Sequence, residues 1–112
     1  IRTGLYGAKY MAILANRTST SGDVQSRLVG KHCETGDIII RDIQFPSDVK
    51  PGDLIATPAT GAYGRSMASN YNHIPKPAVV AVKDGKARLI LRRETTGDLL
   101  ALDVAEVGRE LK

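Results

Sequence analysis

Tryptophan is absent, phenylalanine and cysteine occur once each, and the remaining aromatics are 4 tyrosines. A core built from this chain must therefore rest on Ile, Leu, Val and Ala. A surface for stacking nucleobases would have almost no rings to offer. One cysteine cannot form an internal disulfide, so a reducing cytoplasm is the expected location. No stretch approaches about 18 consecutive apolar residues, which excludes a transmembrane helix. The first residues lack the charged-then-apolar pattern of a signal peptide. Long runs of like charge are missing too. The 16 Lys+Arg and 12 Asp+Glu leave a net charge of +4, and basic residues such as Arg27, Lys31 and Arg41 alternate with Asp23, Glu34 and Asp42. No nucleic-acid-binding arm is expected from so dispersed a charge. Arg88, Arg92 and Arg93 come nearest to a patch, and their plainer reading is a solvated strand end rather than a phosphate site.

What is present bounds the answer further. The 112 residues are 42% apolar, enough for one folded domain over residues 1–112 and too apolar for disorder. A chain of this length buries roughly 65% of its unfolded surface without needing staples. It begins Ile1-Arg2-Thr3-Gly4 with no initiator Met, and the expectation is a segment of something longer.

Short strands punctuated by turns dominate the pattern. After an apolar stretch from Lys9 to Arg17, the polar run from Thr18 to Asp23 reads as a loop. Val24 to Gly30 alternates, with Val24, Ser26 and Leu28 facing one way and Gln25, Arg27 and Val29 the other. Asp37 to Phe45 holds three consecutive isoleucines between Gly36 and Pro46 and is a strand on β-branching alone. Pro51-Gly52 is a turn, and Asp53 to Thr57 begins another strand. Asp84-Gly85 lies between Pro77–Lys83 and Lys86–Arg93, the strongest hairpin signal in the chain. Thr96-Gly97-Asp98 is suited to capping a short helix through Leu99, Leu100 and Leu102, and residues 104–112 read as a frayed or weakly helical tail. Five or six short strands with few helices point to a mainly β fold, a small barrel or sandwich.

Two stretches are unlike scaffold. Residues 59–72 combine small residues with Tyr63, Ser69, Asn70, Tyr71 and Asn72. Small residues let backbone approach a ligand, and neutral hydroxyl and amide donors orient anions; an ordinary polar loop is the plainer alternative. Gly30-Lys31-His32-Cys33-Glu34-Thr35-Gly36-Asp37 sets the only thiol beside an imidazole and a carboxylate, between two glycines. A thiol in such company can transfer protons, whereas the plainer reading of a free cysteine is a small buried filler. A Cys-His metal site needs further ligands at matching spacing, and none is present.

Taken in order, Cys33-Glu34-Thr35-Gly36-Asp37, Pro51-Gly52-Asp53-Leu54, Gly61-Ala62-Tyr63, Ser69-Asn70-Tyr71-Asn72 and Arg92-Arg93-Glu94-Thr95 resemble the C-terminal domain of the meso-diaminopimelate decarboxylase family. Arg2-x-x-Leu5-Tyr6 is similar to that family's substrate-carboxylate segment, so the resemblance spans residues 2 to about 103. It implies a two-domain enzyme dependent on pyridoxal 5'-phosphate (PLP). A (β/α)₈ barrel, absent from this chain, would carry the cofactor on its lysine, and residues 1–8 would end the connection into the β domain. The reaction implied is conversion of meso-diaminopimelate to L-lysine and CO₂ in a homodimer whose sites are shared between subunits.

The resemblance also assigns roles. Arg2 and Tyr6 would contact the substrate carboxylate. Cys33, from the partner subunit, would donate the proton, and Glu34 would hold the distal ammonium. Tyr63 would touch the PLP phosphate and the substrate, with Tyr71 and Asn72 shaping the pocket. Lys31-His32 stands where the family often has Gly-Pro, and His32 is expected to point to solvent. The segment alone is expected to be inactive. An ornithine- or arginine-type decarboxylase domain is the nearest alternative, disfavoured by Glu34 and the Ser69–Asn72 run. A non-enzymatic β-barrel binding module is the alternative of another class. No nucleic acid, membrane or metal is expected as a partner.

Overall fold

A computed structural model describes residues 7–104. The chain divides into two compact units, Ile1–Ser69 and Asn70–Lys112. The expected tail falls, apart from Val104, outside the described residues, as do Arg2 and Tyr6.

The first unit holds β1 (Ile13–Leu14), β2 (Asp23–Val29), β3 (Ile38–Pro46), β4 (Ile55–Ala56) and the single-turn helix α1 (Gly61–Gly64). β1 pairs with β4 and β2 with β3, both antiparallel. β3 is where β-branched sequence and burial coincide: Ile40 and Phe45 are the buried apolar residues of the described chain. They lie five positions apart, so strict alternation would put them on opposite faces of the strand. The register explains how they share one. Val24 faces Phe45 and Leu28 faces Ile40, with a register shift between Ser26 and Leu28. β3 carries the extra residue there, a bulge that re-aims everything beyond it. Burying each of these two side chains contributes about 1.5–3 kcal/mol.

The loop after β1 and the turn before β4 are joined by one arginine. Arg17 donates from Nε and Nη2 to the two carboxylate oxygens of Asp53, at 2.9 and 2.8 Å. Its Nη1 donates to Asp48 Oδ2 and its Nη2 to the Asp48 carbonyl, each at 2.8 Å. Ser19 and Ser21 add hydroxyl bonds to Asp48, and Asn16 bonds both Asp53 and the Leu54 amide. Pro51-Gly52 forms the expected turn, closed by Asp53 N–H to Lys50 O, with Gly52 at φ +96°.

The second unit holds β5 (Val79–Lys83), β6 (Lys86–Leu91) and α2 (Thr96–Leu99). Asp84 and Gly85 have φ of +50° and +70°, the two positive values a tight primed turn requires. The short helix takes in the Thr96–Asp98 run expected to cap it and ends at Leu99 rather than running on through Leu102. Thr95 is the cap: its hydroxyl accepts from Asp98 N–H while the Asp98 carboxylate accepts from Thr95 N–H at 2.7 Å. Arg92 closes a fork on the same carboxylate at 2.6 and 2.7 Å, so it is spent on structure, in line with a solvated strand end.

The six strands are thus short and antiparallel, and the fold is mainly β as expected. Among the described residues they form three two-stranded sheets, and no closed barrel is seen. Among the same residues no helix is long and apolar enough to cross a membrane.

Candidate functional site

The loop joining β2 to β3 carries the thiol and its neighbouring carboxylate. Its two ends are pinned by Gly30 N–H to Asp37 O at 2.8 Å. Inside it, Glu34 N–H reaches His32 O at 2.9 Å and Asp37 N–H reaches Glu34 O at 3.2 Å, the latter closing a 3₁₀ turn over Thr35–Asp37. Glu34 itself is extended, at φ −151°. Asp37 is 6% exposed, and its Oδ2 accepts from His32 N–H at 2.8 Å. Asp37 lies against Gly30 so closely that a methyl group on Gly30 would collide with the carboxylate.

Cys33 is exposed at this loop, and Glu34 beside it is half-buried. The reading of Cys33 as a buried filler is therefore set aside. His32 is a correction. Its side chain is 13% exposed, not solvent-facing, and Nδ1 lies 3.9 Å from Asp37 Oδ2. The reason is local: residues 31–34 form bends rather than a strand, so no alternation sends the imidazole outward.

Tyr63 stands on α1 in the same unit and is 64% exposed. Two positions on, Arg65 has a buried Nη1 with no hydrogen bond among the described residues. Ala59, just before this helix, has φ +59°, a left-handed conformation that non-glycine residues rarely adopt. Tyr71 and Asn72 belong to the second unit, in a turn where Asn72 and His73 have φ of +55° and +56°. Asn70 there donates to Glu94 Oε2 at 2.6 Å and to Ile74 O at 3.1 Å, and the Lys76 amide donates to the same Glu94 oxygen at 2.8 Å. Two of the motifs read from sequence, Ser69–Asn72 and Arg92–Thr95, thus meet through an Asn70–Glu94 clasp.

The Arg17 guanidinium pulls the Asp48 carboxyl down to about 2 and Asp53 further still, chiefly through its hydrogen bonds. Hydrogen bonds from Arg92 and from Thr95 lower Asp98 in the same way. In the first unit a cleft of about 470 Å³ is lined by Gly7–Tyr10 and Ile38–Asp42. Its described lining does not include Cys33, Glu34 or Tyr63. The sequence singles out Cys33, Glu34 and Tyr63 as candidates, but not the Asp37 or Arg17 anchors. Gly30 seven residues before Asp37 was the available signal for the first.

Comparison with known proteins bears on what this loop serves. Diaminopimelate decarboxylase of Mycobacterium tuberculosis is 60% identical over 104 residues, which is 93% of this chain and 23% of that protein. The Bacillus subtilis protein of the same name is 53% identical, over 93% of this chain and 24% of its own length. The chain therefore spans about a quarter of the length of these relatives. Among solved structures, Helicobacter pylori diaminopimelate decarboxylase complexed with L-lysine matches with a TM-score of 0.78 at 40% identity, covering 90% of this chain and 24% of that one. The M. jannaschii enzyme in co-complex with L-lysine gives 0.82 at 33% identity, covering 94% and 24%. The profile of the family described as "Pyridoxal-dependent decarboxylase, C-terminal sheet domain" matches residues 1–61, the stretch that carries the Cys33–Glu34 loop and all four strands of the first unit. With more than half its length under that profile and a sheet-built fold to match, the chain belongs to the family of pyridoxal-dependent decarboxylase C-terminal sheet domains.

Proposed function

We propose that this chain is the C-terminal part of a diaminopimelate decarboxylase, a cytoplasmic PLP enzyme that converts meso-diaminopimelate to L-lysine and CO₂. Residues 1–112 form one β domain in this reading, and the lysine that holds PLP lies outside the chain. The observation that carries it is the loop of residues 30–37, where an exposed thiol and a carboxylate stand side by side on an anchored turn. The names of the relatives and the family of the domain supply the reaction class.

The residues present suit the cofactor. Tyr63 exposes a phenolic donor, and Arg65 holds a buried nitrogen with no acceptor among the described residues. Both call for an anionic oxygen, which a phosphate ester provides. Tyr63 and Arg65 would hold the phosphate of a bound PLP, which would supply an electron sink for the decarboxylation. The chain does the rest: a proton must replace the lost CO₂ on the substrate carbon, and the Cys33 thiol supplies it from the partner subunit. Glu34 holds the distal ammonium by a charge-assisted bond, which selects a diamino acid carrying positive charge at its far end. Arg2 and Tyr6 bind the substrate carboxylate, the arginine through its bidentate fork.

A homodimer with shared sites is part of the same reading. Val82, Leu89 and Leu102 are 72%, 59% and 95% exposed, apolar surface that a second subunit or the rest of the parent enzyme would cover.

The test is turnover by the full-length enzyme carrying this sequence, offered meso-diaminopimelate, ornithine and arginine in parallel. Lysine formation that collapses in Cys33→Ala, with PLP still bound, is the expected result. Turnover of ornithine or arginine in place of diaminopimelate overturns the substrate. An unchanged kcat in Cys33→Ala removes the thiol from the proton transfer.

A further inference from the structure

We propose that Asp37 is the positioning residue of the Cys33–Glu34 pair, holding both at a fixed height above the β2–β3 hairpin. The proposal rests on the reading of that pair as substrate-facing and adds what fixes its geometry. A carboxylate only 6% exposed is costly to bury unless its oxygens are bonded. Here Oδ2 takes the His32 amide at 2.8 Å, on the residue immediately before the thiol. The backbone of Asp37 works in the same direction from the other side, since its N–H bonds the carbonyl of Glu34 and its carbonyl takes the Gly30 amide. One residue therefore grips the chain just before Cys33 and just after it, and also pins the foot of the loop.

The arrangement depends on the bare backbone of Gly30, whose missing side chain leaves the space that the carboxylate fills. The imidazole of His32 covers the same oxygen, with Nδ1 at 3.9 Å. Without the carboxylate, the loop loses its side-chain bond to the residue just before Cys33 and keeps the backbone bonds of Gly30, Glu34 and Asp37. The thiol would then sample positions away from the carbon it must protonate, and misplacement of about 1 Å is enough to lower a rate 100-fold.

The test uses the full-length enzyme and two variants, Asp37→Ala and Asp37→Asn. Asn keeps one oxygen for the His32 amide, while the charge and the second acceptor oxygen give way to a neutral NH2 donor. Asp37→Ala is expected to lower kcat/KM about 30-fold or more with PLP occupancy unchanged, and Asp37→Asn to recover it to within about 3-fold of wild type. A residue that served stability alone would lower the melting temperature in both variants and leave kcat/KM at permissive temperature untouched. Wild-type kcat/KM in a folded Asp37→Ala enzyme overturns the proposal. Should that variant fail to fold, Asp37→Glu decides: the longer side chain displaces the acceptor, and about a 10-fold loss is expected, whereas wild-type kcat/KM refutes. Amide exchange at His32 is read in the same samples and needs no turnover. Protection in wild type, lost in Asp37→Ala and regained in Asp37→Asn, supports the grip even if the enzyme proves to act on another substrate. A His32 amide exchanging at the free-peptide rate in wild type overturns the grip whatever the substrate is.

Discussion

Gly30→Ala should destabilise the β2–β3 hairpin, and the size of the effect can be worked from the geometry. The added methyl would overlap the Asp37 carboxylate. The carboxylate cannot move aside freely, because Oδ2 accepts the His32 amide at 2.8 Å and the Asp37 backbone is bonded to Gly30 and Glu34. If the side chain swings out, a hydrogen bond to a charged group is lost at a buried site, worth about 1.5–3 kcal/mol. If the backbone gives way instead, the Gly30–Asp37 bond at the hairpin end is lost, about 1 kcal/mol, on top of overpacking strain of about 1–3 kcal/mol. Either route is offset by about 0.4–1 kcal/mol, because alanine restricts the unfolded chain more than glycine does. The net expectation is about 2 kcal/mol. Gly22 is the control: nothing lies within 4 Å of a methyl group there and its φ is ordinary, so Gly22→Ala keeps only the unfolded-state gain. Amide exchange of β2 and β3 in the full-length enzyme reads the difference, as opening about 30-fold more frequent in Gly30→Ala than in wild type. Equal exchange in the Gly30 and Gly22 variants would refute the steric argument and with it the tight seat of Asp37.

Other expectations follow from single features. Tyr63→Phe should weaken PLP retention several-fold, since it deletes one phenolic donor; equal cofactor occupancy after dialysis against buffer removes Tyr63 from the phosphate. Asp48 and Asp53 titrate below the ordinary carboxyl value of 3.8, with Asp48 at about 2, so the stability they lend is complete above that value and disappears as pH falls through the folded values. An NMR titration of the 48–53 turn should thus show its shifts unchanged down to about pH 4, and Arg17→Lys, lacking the fork, should move the acid transition upward. Thr95→Ala should destabilise the α2 turn by about 1 kcal/mol, seen as faster exchange of the Asp98 and Leu99 amides. Ala59→Gly should be neutral or stabilising by up to about 1 kcal/mol, because glycine adopts φ +59° without strain; a clear loss of stability would mean that the methyl of Ala59 makes a contact the fold needs.

Local chemistry carried most of the fold into view before any coordinates. The Asp84-Gly85 hairpin, the Pro51-Gly52 turn and the β-branched strand each rest on a backbone preference of a few adjacent residues; the two turns stand where expected, and the strand, expected over Asp37–Phe45, runs one residue later, over Ile38–Pro46. What stayed hidden depends on residues far apart in the chain. Period-two alternation along β3 places Ile40 and Phe45 on opposite faces, and only the pairing with β2 reveals the bulge that reunites them. The Arg17 clamp joins side chains 31 and 36 positions apart, through charges that in sequence resemble ordinary solvated loop residues. The helix cap was misplaced by one residue because Thr95 and Thr96 are chemically equivalent candidates, and Arg92 and Asp98 together select the first.

The site divides along the same line. Which residues are proposed to carry the chemistry was legible only through the family resemblance, because composition alone favours reading a lone cysteine as a small buried filler. How they are held was not, since the support comes from a backbone amide, a missing side chain and a buried carboxylate. None of these three changes the composition of the loop in a way that betrays its role. The misreading of His32 has this cause: residues 31–34 form bends rather than a strand, and nothing adjacent in the sequence signals that the Asp37 carboxylate folds back onto them. Once Asp37 is seen as part of a 3₁₀ turn folded back over Gly30, His32 has both its amide and its ring beside one carboxylate, and inward is the consistent direction for it. A replacement at His32 that keeps the amide but removes the ring, such as His32→Ala, should accordingly leave the grip on the loop intact, while His32→Pro removes the donor and should loosen it. Amide exchange at Glu34 separates the two: unchanged in the first variant, about 10-fold faster in the second. The reverse order would assign the grip to the imidazole rather than to the backbone.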